Sequence, residues 1–502
     1  MARTQNWLDR AIGLVAPSAQ LRRTRARIAT DLVLRHYEAA AVGRRTQGWT
    51  RTSGDANAVN GPAVGRIRDL ARDLVRNDRQ IKSAVRTIAN HTVGWGIVAK
   101  PIPVNPAVLQ RWQAWADSTA CDADERHDLY GLQKLIMRGV AESGEMLVRR
   151  RVRRLEDGYP IPLQLQVLEP DLLDTAKTQS LPNNGQILQG VEFGPLGERV
   201  AYWLFQTHPG ATGIVSTQSR RIPASEVLHI YDQERAGQVR GISWLACEIL
   251  PVKELGEYTD AQLMKQKIAA CLAVIMSDVD GSGAALGTPD DTTNPGVDML
   301  EPGAIIQAKA GQSIEVVQPP AVNEYDAFTK VENRANAKGL GLSYEDFTGD
   351  YSNVNFSSAR MARLEHYENV YDWRWRMLVP QFCDPVWKWA MQALQILGTV
   401  GADVPAARWS APPIPMIEPD KEGLAIMRIV RTGLQSWSDA VRERGYDPDE
   451  LLAEMASDNT KFDELGIVLD SDPRKMTQQG QFQTGDLARQ PGATGNGGSA
   501  NG

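Results

Sequence analysis

Four cysteines in 502 residues, none in a CxxC pair, supply too little sulfur for a disulfide framework or a zinc ribbon. Cys121, Cys247, Cys271 and Cys383 are far apart and read as buried free thiols of a reducing compartment. The six histidines (His36, His91, His127, His208, His229, His366) never recur at metal-ligand spacing. No apolar run approaches the ~18 residues of a membrane span. The longest, around residues 269–276, is far too short, so no membrane partner is expected. The first twenty residues carry a weak apolar segment and no clear cleavage site, so no secretory signal is expected. There is no GxxxxGK[ST] to cradle a nucleotide phosphate, no HExxH and no GxSxG elbow. "AVIMSDVDGSGAALG" imitates a dinucleotide fingerprint, but Leu286 occupies the third glycine's place and Pro289 and Pro295 forbid a following helix. Asp278 and Asp280 precede a glycine at the fourth place of the run rather than the sixth, which excludes an EF-hand loop. These gaps argue against an enzyme and lead to an expectation of no cofactor and no metal.

What is there is ordinary for a folded protein: 42 % hydrophobic and 23 % charged residues. The length suits roughly three domains of about 150 residues. The net charge of −6 is unevenly placed. Residues 1–100 hold 18 Lys/Arg against 7 Asp/Glu, a balance of +11, so the remainder carries −17. A basic N-terminal segment that meets something acidic is one reading, and a solvated basic helix is the other.

Periodicity predicts an α+β chain, predominantly helical. Residues 62–90 read as one helix, with apolar positions recurring at three and four from Ile67 to Ile88. Two helices follow within 106–143. "GEMLVRRRVRR" and "IPLQLQVLEPD" flank Asp157-Gly158 as a hairpin, and "RVAYWLFQT" and "EVLHIYDQ" read as strands. Residues 241–277 read as helix and 304–320 as a small hairpin around Ala310-Gly311. A helix over 321–338 precedes a long loop, and a long helix from about Ser357 to Leu397 is bent or split at Pro380 and Pro385. Residues 420–466 read as two or three short helices, and the chain from Thr477 as disordered.

Three basic features stand out. Arg149, Arg150, Arg151, Arg153 and Arg154 crowd one strand and its turn, either as a solvated face or as a contact for nucleic acid or a partner. "RRTRAR" near the N-terminus is a solvated helix or a docking arm. Lys330, Arg334 and Lys338 recur every four residues on one helix stripe, with Asp326 one turn before them. A helix-turn-helix in 433–458 is disfavoured, because Asp449, Glu450, Glu454 and Asp458 would repel phosphates.

The loop itself, "YEDFTGDYSNVNFSSAR" at 344–360, is polar, turn-rich and free of positive charge until Arg360; Ser357 or Ser358 reads as the cap of the helix that follows. This block, with "YEAAAVGRRTQGW" (37–49), residues 66–97, "ESGEMLVRRR" (142–151), "PLQLQVLEPDLLD" (162–174), residues 339–365 and residues 418–448, resembles bacteriophage portal proteins of the lambda type. Phe347 and Phe356 stand where Leu and Tyr are expected, and the first 30 residues and the tail after 475 match poorly.

The resemblance implies a portal fold assembled as a ring of twelve subunits at one capsid vertex, in the virion and, during assembly, in the host cytoplasm. It implies a basic arm (1–60), an α+β wing (61–250), a stem helix (251–277), a clip with a small hairpin (278–319), a second stem helix (320–339), a channel loop (340–356), a long helix returning to the wing (357–415), a helical crown (416–475) and a tail (476–502). It implies double-stranded DNA, passing without sequence readout, as the cargo packaged and ejected. Its implied protein partners are a separate terminase motor, head-completion or adaptor proteins, and major capsid and scaffold proteins. Lys330, Arg334, Lys338, Tyr351, Ser352, Asn353 and Asn355 are then the channel-lining candidates. The alternatives are a DNA-processing enzyme with a basic groove and a head scaffold or adaptor without a channel.

Overall fold

The computed structural model describes residues 53–213, 218–270, 274–278, 312–316, 325–352, 356–416, 418–469, 472 and 474. The chain divides into two units, Met1–Val59 and Asn60–Gly502. The expected tail, and most of the expected basic arm and clip, lie outside the described residues.

Where one helix is expected over 62–90 there are two, α1 (Ala56–Asn77) and α2 (Arg79–Val93). Asp78 makes the break: its carboxylate accepts from the amides of Gln80 and Ile81, so it caps α2 and stops α1. β1 (Val98–Ile102) leads to α3 (Pro106–Ala116) and α4 (Leu129–Ser143), capped by Asn105 and Asp128. β2 (Glu145–Val152) and β3 (Leu163–Leu168) form the expected hairpin, with Gly158 in the left-handed conformation at its turn.

β2 also pairs with β9 (Val227–Tyr231). A five-stranded sheet lies between them in sequence: β4 (Gln179–Ser180), β5 (Gln186–Leu188), β6 (Val191–Phe193), β7 (Arg199–Phe205) and β8 (Ser219–Pro223), in that order. Only β7 shows in the sequence as a strand; the others are too short to display alternation.

The expected helix over 241–277 is α5 (Ile249–Ala270) only. Residues 241–248 are coil and turn instead, held by the Gly241 amide on Glu145 at 2.8 Å and packed so closely that a Cβ at Gly241 would stand 2.1 Å from the carbonyl oxygen of Gly144. Its C-terminal end is instead β10 (Val274–Asp278), paired antiparallel with β11 (Gln312–Val316). The other half of the hairpin expected around Ala310-Gly311 lies outside the described residues. Then come α6 (Tyr325–Gly339), the short α7 (Tyr344–Thr348), α8 (Phe356–Asp372), a π-helical stretch (Trp373–Cys383) and α9 (Asp384–Ile396). Helix therefore runs from 356 to 396 without a split, where a bend or a split is expected. Pro380 sits inside the wider π turns and Pro385 where they pass into α9, so the change of winding takes up the donors that both prolines lack. β12 (Ala406–Ser410) pairs with β1, and α10 (Pro419–Arg431), α11 (Trp437–Glu443) and α12 (Pro448–Leu465) complete the described chain.

The main core packs α2, α3, α4 and α9 with the π-helical stretch. Trp112, Trp115, Trp387 and Trp409 meet there, ring centroids 4.7–6.5 Å apart. Arg374, buried in the π-helical stretch, donates to the carbonyls of His91, Thr92 and Pro412 at 2.6–3.0 Å. A guanidinium on the last carbonyls of α2 satisfies acceptors that the helix leaves open and opposes its dipole.

A second polar knot fastens β2. Glu145, fully buried, accepts from Arg240, from Arg68 at 3.3 Å, from His229 Nε2 at 2.9 Å and from the Gly241 amide at 2.8 Å. Burial pushes its carboxyl up, but Arg240 and then His229 outweigh this and hold it well below the usual carboxylate range.

Candidate functional site

α5 and α6 lie side by side and run antiparallel. Glu248, just before α5, faces Gly339 at the end of α6, while Tyr258 further along α5 stacks on Tyr325 at the start of α6, with centroids 5.9 Å apart. Phe328 adds an edge contact to Tyr258 at 4.9 Å. At about 1.5 Å per residue, the 22 residues of α5 span ~33 Å. Few of its side chains are buried, and Leu250, Leu263, Met264, Phe328 and Val331 are exposed on the pair.

The chain leaves α6 through a turn at Gly341 (φ +68°), whose carbonyl accepts from His366 Nδ1 at 2.8 Å and Asn369 at 3.1 Å. Part of the expected loop is helical, because "SYEDFTG" carries its own start and stop. Ser343 Oγ accepts from the Asp346 amide at 3.0 Å and donates to the Asp346 carboxylate at 2.9 Å. Gly349 closes the helix in the left-handed conformation. Phe347 anchors α7 in the main core. α8 begins at Phe356, so Ser357 and Ser358 lie in its first turn rather than at its cap.

Between α7 and α8, Asp350 organises the exposed segment. Its carboxylate accepts from the Ser352 amide at 3.0 Å and hydroxyl at 2.5 Å, and from Tyr344 Oη at 3.3 Å. These bonds, Ser352's first, lower its pKa. Tyr351, between Asp350 and Ser352, is 64 % exposed. Asn353 and Asn355 lie outside the described residues.

The basic stripe is present but partly neutralised within the chain. Lys330 pairs with Asp326 at 2.7 Å, and that hydrogen bond raises its pKa. Lys338 pairs with Glu365 of α8, and Arg334 lies over the Tyr344 ring, 5.4 Å from its centroid. The stripe therefore borders α7 and α8, which the sequence order alone does not reveal.

The arginines of β2 and its turn are engaged from two sides. Arg149 reaches Glu226 at 3.9 Å, Arg151 donates to Gln166 at 2.5–2.9 Å, and Arg153 donates to Gln164 at 2.6 Å. Arg150 points elsewhere, donating to Gln392 at 2.9 Å and lying 5.9 Å from the Trp389 ring centroid. Arg154 is exposed. Alternation along the strand thus divides what looks like one basic cluster in the sequence.

A further group escapes any reading by spacing. His91 on α2, Asp346 on α7 and His366 on α8 bring their ligand atoms within 4.8 Å of one another. His91 Nδ1 and His366 Nε2 are 2.8 Å apart. Burial lowers the pKa of both rings, and for His91 the neighbouring His366 adds to the effect. The histidines are 275 positions apart, so no short motif can show them. Grooves open on either side: about 480 Å³ lined by His91, Asp346 and Tyr351 among others, and about 170 Å³ lined by His366, Arg334, Lys338 and Glu365 among others. A second trio, Glu169, Asp171 and His208, is also within reach of one ion, but Arg68 and Arg72 hold Asp171 at 3.2 and 2.7 Å.

Residues 42–374 match the family model described as phage portal protein, lambda family. A probable portal protein of Halomonas phage phiHAP-1 is 25 % identical over 461 residues, covering 86 % of this chain and 88 % of that protein. Portal protein B of Escherichia phage lambda is 23 % identical over 385 residues, covering 66 % and 69 %. Among solved structures, a chain in the neck of a native GTA particle is similar at a TM-score of 0.47 and 13 % identity, covering 78 % of this chain and 94 % of that one.

Proposed function

The chain belongs to the lambda family of phage portal proteins, and from that premise we propose that it forms a ring, on the family pattern of twelve subunits, through which double-stranded DNA enters and leaves the capsid. In this reading α5 and α6 are the stem, residues 340–356 face the channel, and α10 to α12 form the crown. Terminase and then head-completion or adaptor proteins dock on the ring, which is built in the host cytoplasm beside capsid and scaffold proteins and stays at the portal vertex of the virion.

The observation that carries the proposal is the helix pair itself. α5 and α6 expose apolar side chains along a projection that buries little within its own subunit. Such a face is accounted for when neighbouring copies cover it.

The channel's physical requirement is contact without capture. DNA carries one charge per ~1.7 Å, and each neutralised phosphate raises affinity. A pore rich in unpaired cations would brake it. Here Lys330 and Lys338 are offset by Asp326 and Glu365, and the segment at 350–352 offers a tyrosine and a serine rather than a cation. Hydroxyls and amides exchange hydrogen bonds with phosphate and sugar without reading sequence.

Negative-stain imaging of the purified full chain tests the proposal. Rings with a central hole of duplex width are expected; monomers or closed particles would overturn it. Incubation with magnesium, ATP and DNA should give neither cleavage nor ATP turnover, which a DNA-processing enzyme would show.

A further inference from the structure

We propose that His91, Asp346 and His366 form a binding site for a divalent transition-metal ion of the zinc type, which clasps α2, α7 and α8 together at the root of the exposed 350–352 segment. The inference is independent of the channel reading, since it rests on three side chains of a single subunit.

The donor set is that of borderline metals: two imidazoles and one carboxylate, with room for solvent in the remaining position. The ligand atoms already lie within 4.8 Å of one another. Around a tetrahedral ion with bonds of ~2.0–2.1 Å they would stand about 3.3 Å apart, so a modest movement of Asp346 closes the set.

The outer partners are in place as well. The Gly341 carbonyl can only accept, so His366 Nδ1 carries its proton and donates at 2.8 Å, which turns a bare Nε2 toward His91. A backbone carbonyl on the far nitrogen is the support that orients metal-bound histidines. His91 now donates Nδ1–H to that nitrogen. On metal binding it shifts this proton to its own Nε2, and both facing nitrogens then offer lone pairs with no net proton lost. Asp346 takes the Ser343 hydroxyl at 2.9 Å, and a carboxylate's two oxygens make that bond compatible with a metal bond. The larger groove lined by His91 and Asp346 gives an ion its way in.

The test uses the full-length protein, stripped with chelator and titrated with Zn²⁺ alone by calorimetry, and with Co²⁺ alone by visible absorption. One ion per subunit is expected, at about micromolar Kd or tighter, with Co²⁺ d–d bands and no response to Mg²⁺. H91Q and H366Q should each weaken binding by about tenfold or more. D346N should weaken it while leaving the far-UV circular dichroism unchanged. H208Q, in the competing trio, should bind as the parent does. A measurement without variants stands beside these: Zn²⁺ should protect His91 of the parent protein from diethyl pyrocarbonate and leave His208 reactive. Absence of a stoichiometric Zn²⁺ event in the parent, unprotected His91, or binding lost only in H208Q would overturn the proposal.

Discussion

At the scale of single residues, buried charge decides more than surface charge. Lys330–Asp326 and Lys338–Glu365 are exposed pairs of the kind that contribute little to stability. Glu145 differs, because two arginines and a histidine were desolvated to meet it. Glu145→Gln keeps the shape and removes the charge, leaving Arg240 buried without its partner; a loss of about 3–5 kcal/mol is expected, read as a lower urea midpoint. Acid should act through the same knot. Burial lowers the His229 pKa to about 4 from 6.5, with Glu145 opposing. Between those values the unfolded chain takes up a proton that the folded chain refuses, so stability falls as pH drops through that window. The depressed Glu145 carboxyl adds a further loss as pH falls below its free value of 4.5. Urea midpoints across this range in the parent should decline steadily, and a flat profile would count against the assignment. Gly144 is a second point of no tolerance: at φ +89°, an added Cβ would meet the Ile242 carbonyl carbon at 2.3 Å. Gly144→Ala should lower the thermal midpoint of the protein, measured by circular dichroism.

At the scale of elements, sequence legibility followed periodicity and failed where contacts distant in sequence decide the outcome. α3, α4, β2, β3, β7 and β9 are all readable, because each has a cap, an alternation or a turn in its own residues. The break at Asp78 was also readable in principle: Asn77-Asp78 is a cap signal, and an unbroken apolar period hides it. β10 was not, since a short apolar run suits helix or strand equally and only its pairing with residues 312–316 decides. Of the candidate site, the stripe and the polar segment could be read locally. The histidine pair could not, because it joins α2 to α8 across 275 positions. The α5–α6 pair makes a prediction of its own. Val252 and Ala337 tie its root to the main core, and further along Tyr258, Tyr325 and Phe328 hold the two helices together. In dissociated subunits its amides should exchange with deuterium faster than those of α4, and ring formation should slow them by an order of magnitude or more. Equal exchange in both states, measured by mass spectrometry, would mean that the helix faces are not the subunit contact.

For the whole molecule, the proposed function poses the question of how an assembly can surround a polyanion and still release it. The chain is acidic overall, at −6, although residues 1–100 carry +11. With a screening length of about 8 Å in physiological salt, only charge close to the duplex acts on it. What lies at the 350–356 segment therefore matters more than the total. Asn353→Lys with Asn355→Lys adds two cations per subunit, about two dozen in a ring of twelve. If the segment meets DNA, each new contact adds to the counterions released, deepening the electrostatic well and steepening its salt dependence. Rings of the variant should assemble as the parent's do, which negative-stain imaging checks. Packaging should nevertheless slow or stall in low salt and recover partly as salt rises. The control is Arg154→Gln, on the exposed turn between β2 and β3, which should leave packaging unchanged. Packaging of the double-lysine variant at the parent's rate across the salt series would place the segment away from DNA, and the channel would then have to be lined by other residues.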